Sequence, residues 1–457
     1  MYFNSIIFIL VFLPIVFLGY FTLLKQRWLV AGKIWLCLAS LFFYGYWKID
    51  YLVLILASMC FNFLIGLILS AKKIKGREFI LATGIILNLL VLAYYKYTNF
   101  LIDTVNTVSN FQIKGYEILL PLAISFFTFQ QMAYIVDSYS RKAEEHDFFD
   151  YVLFVTFFPQ LVAGPIVHHK DMMSQFRATV TQSINIDNVN KGIFIFILGL
   201  AKKVVVADYL ATIVAPGFTD PGALTFSTAW VTSLSYTFQL YFDFSGYCDM
   251  AIGIALLFNI KLPINFNSPY KAVNIQDFWR RWHITLTIWL RDYLYVPLGG
   301  NRKGEARAYA NVFLVFLLGG LWHGAGWTFI IWGTLHGVAC VVHKLYSKYL
   351  APLIPINKVL AWIITFSIVN IGWVLFRADT VSSAFQIIKK MYTFENQQTL
   401  LCLVGALYVC LVSPNVLEQK VNFRRIIFPI LLGIIFIYCL WILSVPDQSS
   451  PFLYFNF

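Results

Sequence analysis

The amino-acid sequence predicts an all-α, polytopic membrane protein, and three observations lead to that prediction. First, 60% of the 457 residues are apolar and only 12% are charged, whereas soluble domains usually carry roughly 25% charged residues. Second, the apolar residues form about eleven runs near the length of roughly 20 residues that a spanning helix needs. Third, the basic residues behind the net charge of +12 lie mainly in the short gaps between those runs. Membrane topology therefore explains the charge better than nucleic-acid binding, and no room is left for a sizeable soluble domain.

The apolar runs define the candidate spans and the orientation of the first one. The candidates cover residues 5–24, 30–47, 51–71, 78–96, 117–137, 149–167, 191–213, 226–243, 310–332, 356–376, 398–414 and 426–445. We expect the first run to be retained as a helix, because no small-residue cleavage site follows it. Lys25 and Arg27 follow this run and four basic residues follow the third, whereas the Asp50 loop is poor in positive charge. The positive-inside rule therefore predicts an extracytoplasmic N-terminus.

Motifs of several other chemistries are missing from the sequence. The seven cysteines lie mostly inside apolar runs and form no CxxC pair, so neither a disulfide framework nor a metal site is predicted. The chain also contains no P-loop, no GxSxG elbow, no HExxH zinc helix and no glycine-rich dinucleotide turn. No bound metal or resident cofactor is therefore expected.

Between residues 244 and 309 the pattern changes, because charged and amide side chains alternate with apolar and aromatic ones. On a helical wheel, segment 277–292 (DFWRRWHITLTIWLRD) places its large apolar side chains within an arc of about 120° and its charged side chains opposite. We expect one amphipathic helix of about 24 Å, too short and too charged to span a bilayer. His283 lies at the border of its two faces, and Asp277 and Asp292 are the expected partners of its arginines. A water-accessible cavity should lie beside this helix.

Segment 311–331 (NVFLVFLLGGLWHGAGWTFII) contains one titratable side chain, His323. It lies about 18 Å of helical rise from Asn311, near the middle of the membrane, where a polar group is a functional candidate. The alternative is a structural histidine that makes an interhelical hydrogen bond. His336 follows 13 residues later, a rotation of about 220° if one helix continues. The two histidines would then not share a face, and His336 is expected to be structural or secondary.

The two histidines at positions 283 and 323 suit acyl transfer. A neutral imidazole in an apolar cavity can remove a proton from a hydroxyl group, because burial keeps it unprotonated. A second polar group opposite it could orient or stabilise the acyl carbonyl as negative charge develops on its oxygen. The same pair would also fit a proton-coupled carrier.

Motifs spread over most of the chain resemble the membrane-bound O-acyltransferase family, and more closely its bacterial alginate O-acetyltransferase branch. The strongest are FWRRWHITLTIW (278–289), RDYLYVPLGGNRKG (291–304) and LWHGAGWTFIIWGTLHG (321–337). Five more follow the same order as in that branch: LPLAISFFTFQQMAYIVDSY (120–139), FFPQLVAGPI (157–166), YFDFSGYCDMAIG (241–253), NFNSPYKAVNIQDFW (265–279) and SPFLYFNF (450–457). So many ordered motifs are very improbable by chance.

The resemblance implies a fold and a site. Residues 1–457 would form a single domain of about eleven transmembrane helices plus short amphipathic or re-entrant helices around a central tunnel, with residues 244–345 as its catalytic core. By its Trp-His-Gly setting, His323 would be the invariant histidine of the family. By its Phe-Trp-x-x-Trp-His setting, His283 would be the second polar residue of the active site. The candidates for lining the tunnel are Tyr241, Asp243, Ser245, Asp249, Asn267, Trp279, Arg280, Trp282, Arg291, Trp322 and His336.

The resemblance also implies an activity. An acetyl or other short acyl group would pass from cytoplasmic acetyl-CoA or a related thioester across the inner membrane of a bacterium, for O-acetylation of an exported polysaccharide. His323 would act as the general base on the acceptor hydroxyl. The expected partners are a periplasmic transferase subunit of the SGNH type, the polysaccharide export machinery and membrane lipid. The rival interpretations are a lipid-directed O-acyltransferase, a proton-coupled glycan or lipid transporter, and a non-catalytic scaffold.

Overall fold

A computed structural model describes most of the chain, and every regular element in the described part is a helix. The described residues are 1–71, 74–109, 111–142, 147–177, 183–393, 427–445 and 452–453. The candidate span at 398–414, together with Cys402 and Cys410, lies outside these ranges.

Six helices of the described part are long and apolar enough to cross a membrane. They are Phe8–Lys25, Asp50–Ser70, Arg77–Val108, Phe226–Leu257, Trp327–Leu350 and Lys358–Arg377. Leu29–Gly45 and Pro429–Ser444 are shorter apolar helices. The prediction of an all-helical, multi-pass membrane protein is confirmed.

The first of two compact units comprises Met1–Leu198 and Tyr247–Pro263. Its further helices are Ile124–Tyr139, Phe148–Thr156, Phe158–Leu161, His169–Arg177 and most of Ile186–Ala201. A polar network joins three of its apolar helices, since the Asn62 side-chain amide donates to Asn88 at 3.0 Å and to Gln131 at 2.8 Å. Such hydrogen bonds hold helices together where the hydrophobic effect between them is weak.

The second unit comprises Gly199–Gly246 and Ile264–Phe457 and contains both predicted catalytic histidines. Its helices are the π-helical segment Lys202–Ala207, then Asp208–Thr219, Phe226–Leu257 up to Gly246, Ile275–Arg281, Ile284–Leu290, the π-helical Arg291–Tyr295, Glu305–His323, Trp327–Leu345, the π-helical Tyr346–Leu350, Lys358–Arg377, Val381–Met391 and Ile427–Ser444.

The prediction of one continuous span over 310–332 is wrong. The helix Glu305–His323 ends at His323, the chain is extended at Gly324 and Gly326, and the helix Trp327–Leu345 follows. A Cβ atom on Gly324 would collide with the ring of Phe329, so the break leaves room for glycine alone. His323 is therefore the last residue of a helix, and the rotation expected between it and His336 does not apply.

The two helices of this hairpin pack closely through glycines. A Cβ on Gly333 would lie 2.5 Å from the carbonyl oxygen of Phe316 and 3.2 Å from the Cα of Gly320. In membrane helices, small residues allow backbones to approach so closely that van der Waals contact stabilises the pair. Because Glu305–His323 carries His323 at its end, this packing also fixes where the histidine lies.

Replacing Gly333 with alanine is expected to destabilise the protein by about 1–3 kcal/mol, because the added methyl group meets a backbone carbonyl that cannot move away alone. Thermal unfolding in detergent would measure the loss. Gly433→Ala is the matched control, since a Cβ there meets nothing within 4 Å. Equal melting temperatures for the two variants would contradict the tight packing.

The predicted span 226–243 is too short, because the helix continues to Leu257 and carries Asp243 and Asp249 inside it. The predicted span ends at Asp243 because this residue is the first carboxylate after the apolar run. The structure shows Asp243 buried against Lys203, with Asp243 Oδ1 2.7 Å from Lys203 Nζ. A buried carboxylate that is paired in this way no longer obliges the helix to end.

Three other spans differ in their details. Helix Ile124–Tyr139 starts well after residue 117, and run 149–167 is interrupted at Phe157 before a short helix with Pro159 in its first turn. Proline has no N–H to continue a helix, so a break before it is expected. Run 191–213 contains a π-helical segment at Lys202–Ala207.

Candidate active site

His283 lies at a break between two short helices. The prediction of one amphipathic helix over 277–292 is wrong, because Ile275–Arg281 and Ile284–Leu290 are separate and His283 stands between them with φ of 44°. Left-handed backbone is uncommon for residues other than glycine and is concentrated at functional sites. The arginine partners are as expected, since Arg281 pairs with Asp277 and Arg291 with Asp292.

Asn265 holds this strained position and selects a tautomer of His283. Its carbonyl oxygen Oδ1 lies 3.2 Å from Nδ1 of His283, and it also accepts from the backbone N–H and the hydroxyl of Thr285. An amide oxygen can only accept, so Nδ1 carries the proton of the neutral ring and Nε2 carries the lone pair. His283 is 1% exposed, and this burial lowers its pKa, which keeps the ring neutral.

His323 lies close to His283, with ring centroids 6.4 Å apart. It is 5% exposed, and the rings of Trp332 and Phe376 pack edge-on against it at 5.1 and 5.3 Å. His323 ends a helix, where the carbonyl groups of the last turn favour positive charge nearby. An imidazole in this place is suited to accept a proton.

A cavity of about 460 Å³ lies beside His323. Most of its lining is apolar, including Trp279, Gly319 and Trp332. Three basic residues also line it, namely Arg280, Arg291 and Lys344. The site therefore combines an apolar chamber, a proton acceptor and positive charge.

The predicted tunnel residues divide into two groups. Trp279, Arg280 and Arg291 line this cavity together with His323, and the other candidates do not. Trp282 and Trp322 are buried next to the site, the former 4.7 Å from the ring of Trp373 and the latter 6.4 Å from that of His283.

His336 is completely buried behind the cavity wall. Its ring packs 4.9 Å from that of Trp332 and 5.1 Å from that of Trp279, and neither ring nitrogen has a hydrogen-bond partner in the described part of the chain. Because Trp332 also contacts His323, both histidines pack against one indole ring, contrary to the separate faces that a continuous helix implied.

The remaining candidates have other surroundings. Tyr241 packs against Tyr270 at 5.4 Å, and Asp243 belongs to a buried ion cluster with Lys203. Ser245 is buried in the second unit, whereas Asp249 belongs to the first. The backbone N–H of Asn267 donates to the Arg281 carbonyl at 2.9 Å.

Sequence reasoning missed three residues that shape the site. Asn265 orients His283, Trp332 packs against both His323 and His336, and Phe244 packs against His283 at 4.9 Å. All three fall within the motifs quoted above, but asparagine and aromatic residues are so frequent in this chain that type alone does not single them out.

Comparison with known proteins identifies a matching family and several similar proteins. The model of MBOAT, the membrane-bound O-acyltransferase family, matches residues 137–378. A peptidoglycan O-acetyltransferase from Helicobacter pylori is 50% identical over 417 residues, covering 85% of this chain and 79% of the relative. A probable alginate O-acetylase, AlgI, from Pseudomonas aeruginosa is 42% identical over 405 residues, covering 87% and 76%. A teichoic acid D-alanyltransferase from Bacillus subtilis is 30% identical over 271 residues, covering 56% and 68%.

Proposed function

This chain belongs to the membrane-bound O-acyltransferase family and is an O-acyltransferase, and from that premise we propose that it moves acetyl groups across the cytoplasmic membrane of a bacterium. The donor is a cytoplasmic thioester, and the product is the O-acetylation of an exported polysaccharide. The observation that carries the proposal is the pair of buried histidines, 6.4 Å apart, one of which lines the apolar cavity. Residues 244–345 form the catalytic core of one membrane domain.

His323 acts as the general base. It takes the proton of the acceptor hydroxyl while the hydroxyl oxygen forms a bond to the acyl carbon, and the bond from that carbon to the thioester sulfur breaks. The proton then passes from His323 to the departing thiolate, so the histidine is regenerated and an ester and a thiol are formed. The helix end at His323 supports this role, because it favours the imidazolium form that exists between the two transfers.

His283 orients the acceptor. With the proton of the neutral ring directed to Asn265, its Nε2 lone pair can accept a hydrogen bond from an N–H or second O–H group of the acceptor, beside the reacting hydroxyl whose own proton goes to His323. Donation to the acyl carbonyl, the role predicted from the sequence, would require a second proton on a ring whose burial disfavours charge. The orienting role is therefore the better supported of the two.

The charges of the cavity support a donor that carries phosphate groups. Arg280 is exposed and has no ion-pair partner in the described part of the chain, and Lys344 also lines the cavity. Basic side chains bind phosphate through charge-assisted hydrogen bonds, while the apolar walls suit an acyl chain and its linker. Acetyl-CoA carries both phosphate groups and an acyl group on a linker.

Replacing Arg280 with glutamine is expected to raise the KM for acetyl-CoA about five- to tenfold with little change in kcat, because a phosphate contact of the bound donor is lost. Steady-state kinetics at two salt concentrations would measure this effect, which salt should weaken. The thioester S-acetyl-N-acetylcysteamine lacks phosphate, so its KM should not change. Arg302→Gln, at an exposed residue outside the cavity lining, is the matched control.

The acceptor is a partner protein on the far side of the membrane. The described residues form mostly apolar helices, which supports a second subunit as the part that modifies a polymer outside, and a periplasmic SGNH-type transferase is proposed for it. The relatives named for peptidoglycan and alginate support a cell-envelope or exported polysaccharide as the final acceptor. The N-terminus is proposed to face the periplasm, and polysaccharide export proteins and lipid surround the enzyme.

Reconstitution tests the proposal directly. Purified protein in liposomes would receive radiolabelled acetyl-CoA on one side and the candidate SGNH subunit on the other. Appearance of labelled acetyl on the subunit or its polymer is expected. Movement of a substrate without covalent label would favour a transporter, and long-chain ester on a membrane alcohol would favour a lipid-directed enzyme; either result would overturn the proposal.

A further inference from the structure

The motif YFDFSG at 241–246 contains Asp243, and its buried charge is unused by the mechanism above. Asp243 Oδ1 lies 2.7 Å from Nζ of Lys203, and the same Nζ lies 2.8 Å from Asp208. All three side chains are at most 5% exposed. Buried charges are costly unless they are paired, so an ion cluster at this depth indicates a specific role.

The local backbone explains how the cluster forms. Lys203 and Asp208 are five residues apart, which in an α-helix would separate them by about 140° around the axis. The π-helical segment Lys202–Ala207 widens the turn, and the N–H of Asp208 donates to the carbonyl of Lys203, so the two side chains meet on one side. Gly246 lets the long helix approach this segment, since a Cβ there would lie 2.7 Å from the Gly199 carbonyl oxygen.

The second oxygen of Asp243 binds a segment that is distant in the sequence. The backbone N–H of Leu453 donates to Asp243 Oδ2 at 2.9 Å. The preceding residue, Phe452, is 4% exposed and packs on Phe244 with ring centroids 5.7 Å apart. Phe244, next to Asp243 on the helix, packs edge-on against His283 at 4.9 Å.

From this continuous set of contacts we infer that Asp243 is an anchor for segment 452–453, and that the anchored Phe452 holds Phe244 against His283. Asp243, Lys203 and Phe452 are thus positioning residues, which touch no substrate and act through His283. Lys203 Nζ lies at one oxygen of Asp243, and the other oxygen accepts a peptide N–H that water would otherwise satisfy. This role replaces the tunnel position expected for Asp243 from sequence and rests on the proposed function of His283.

Proline at position 453 tests the anchor without changing any buried charge. Leu453→Pro removes the N–H that Asp243 accepts, whereas the matched control Leu453→Ala retains it. We expect Leu453→Pro to lower kcat for acetyl transfer about tenfold while KM for the donor stays within about twofold, because the donor cavity is untouched and only the orientation of His283 relaxes. Leu453→Ala should keep most of the wild-type turnover.

Phe452 provides an independent variant pair. Phe452→Ala should reproduce the loss of kcat, and Phe452→Leu, which restores apolar bulk against Phe244, should recover most of it. A merely structural residue would lower the amount of folded protein and not kcat per folded molecule. Equal kcat for Leu453→Pro and Leu453→Ala would overturn the inference.

Hydrogen exchange separates this inference from the proposed function. In wild-type protein and in the inactive His323→Ala variant, the C-terminal peptide that includes Leu453 should exchange slowly, because its N–H is bound to a buried carboxylate. Asp243→Ala should accelerate exchange in that peptide. Unchanged exchange would refute the anchor even if acetyl transfer is observed. Absence of acetyl transfer by wild-type protein would refute the proposed function, and the exchange result would still decide the anchor.

Discussion

The His323→Ala variant is expected to lose acetyl transfer almost completely, with kcat falling about 10²- to 10⁴-fold, the range that general-base catalysis contributes. Among the described histidines, His323 is the one that lines the cavity, and it ends a helix in the position where positive charge is favoured. Without it, the acceptor hydroxyl would have to attack while still protonated. Transfer of radiolabel from acetyl-CoA to the partner subunit, per folded molecule, measures the loss.

The matched control for this variant is His343→Ala. His343 lies near the end of the following helix and outside the cavity lining, so its loss should leave transfer unchanged. The melting temperature and the elution volume in size-exclusion chromatography in detergent would show that both variants are folded. Wild-type acetylation by folded His323→Ala protein would exclude a base role for this residue and would favour a scaffold or an alternative base.

The His283→Ala variant is expected to lower kcat about 10- to 10²-fold, because the acceptor hydroxyl is no longer oriented although the base remains. Asn265→Ala should have a smaller effect in the same direction, since it releases the Nδ1–H that fixes the ring. The double variant should be little worse than His283→Ala alone, because Asn265 then has no histidine to orient.

This double-mutant cycle distinguishes orientation from independent roles. If Asn265 and His283 act separately, their losses in kcat multiply, and the tautomer argument is wrong. Full activity in folded His283→Ala protein would remove His283 from the mechanism and leave the pair of histidines without functional meaning. Measuring kcat for the single and double variants in the same reconstituted preparation tests both the coupling of the two residues and the role of His283.

The sequence determined the class of the protein, because bilayer solvation imposes a strong and simple pattern. Runs of about 20 apolar residues are the length that the hydrocarbon core demands, and basic residues gather at their ends. His323 could be found in the same way, since a titratable group among apolar neighbours is conspicuous without any structure. The partners of Arg281 and Arg291 also followed from local spacing.

The tertiary structure decided what depends on contacts between distant residues. His283 stands at a helix break because Asn265, 18 residues earlier, satisfies the groups that the break exposes. A helical wheel cannot show this, because it considers one segment and assumes that it continues. The hairpin break after His323 likewise requires Phe329 to occupy the space beside Gly324.

Asp243 shows most clearly the difference between what the sequence determined and what the tertiary structure decided. Its sequence motif marked it as a residue near the site but could not assign its role, since a carboxylate may bind substrate, exchange protons or pair with a cation. Its observed partners are Lys203, 40 residues before it, and Leu453, 210 residues after it. Local composition set the helices and their membrane location, whereas the pairing of buried polar groups, which depends on desolvation and on the whole path of the chain, was decided only on folding.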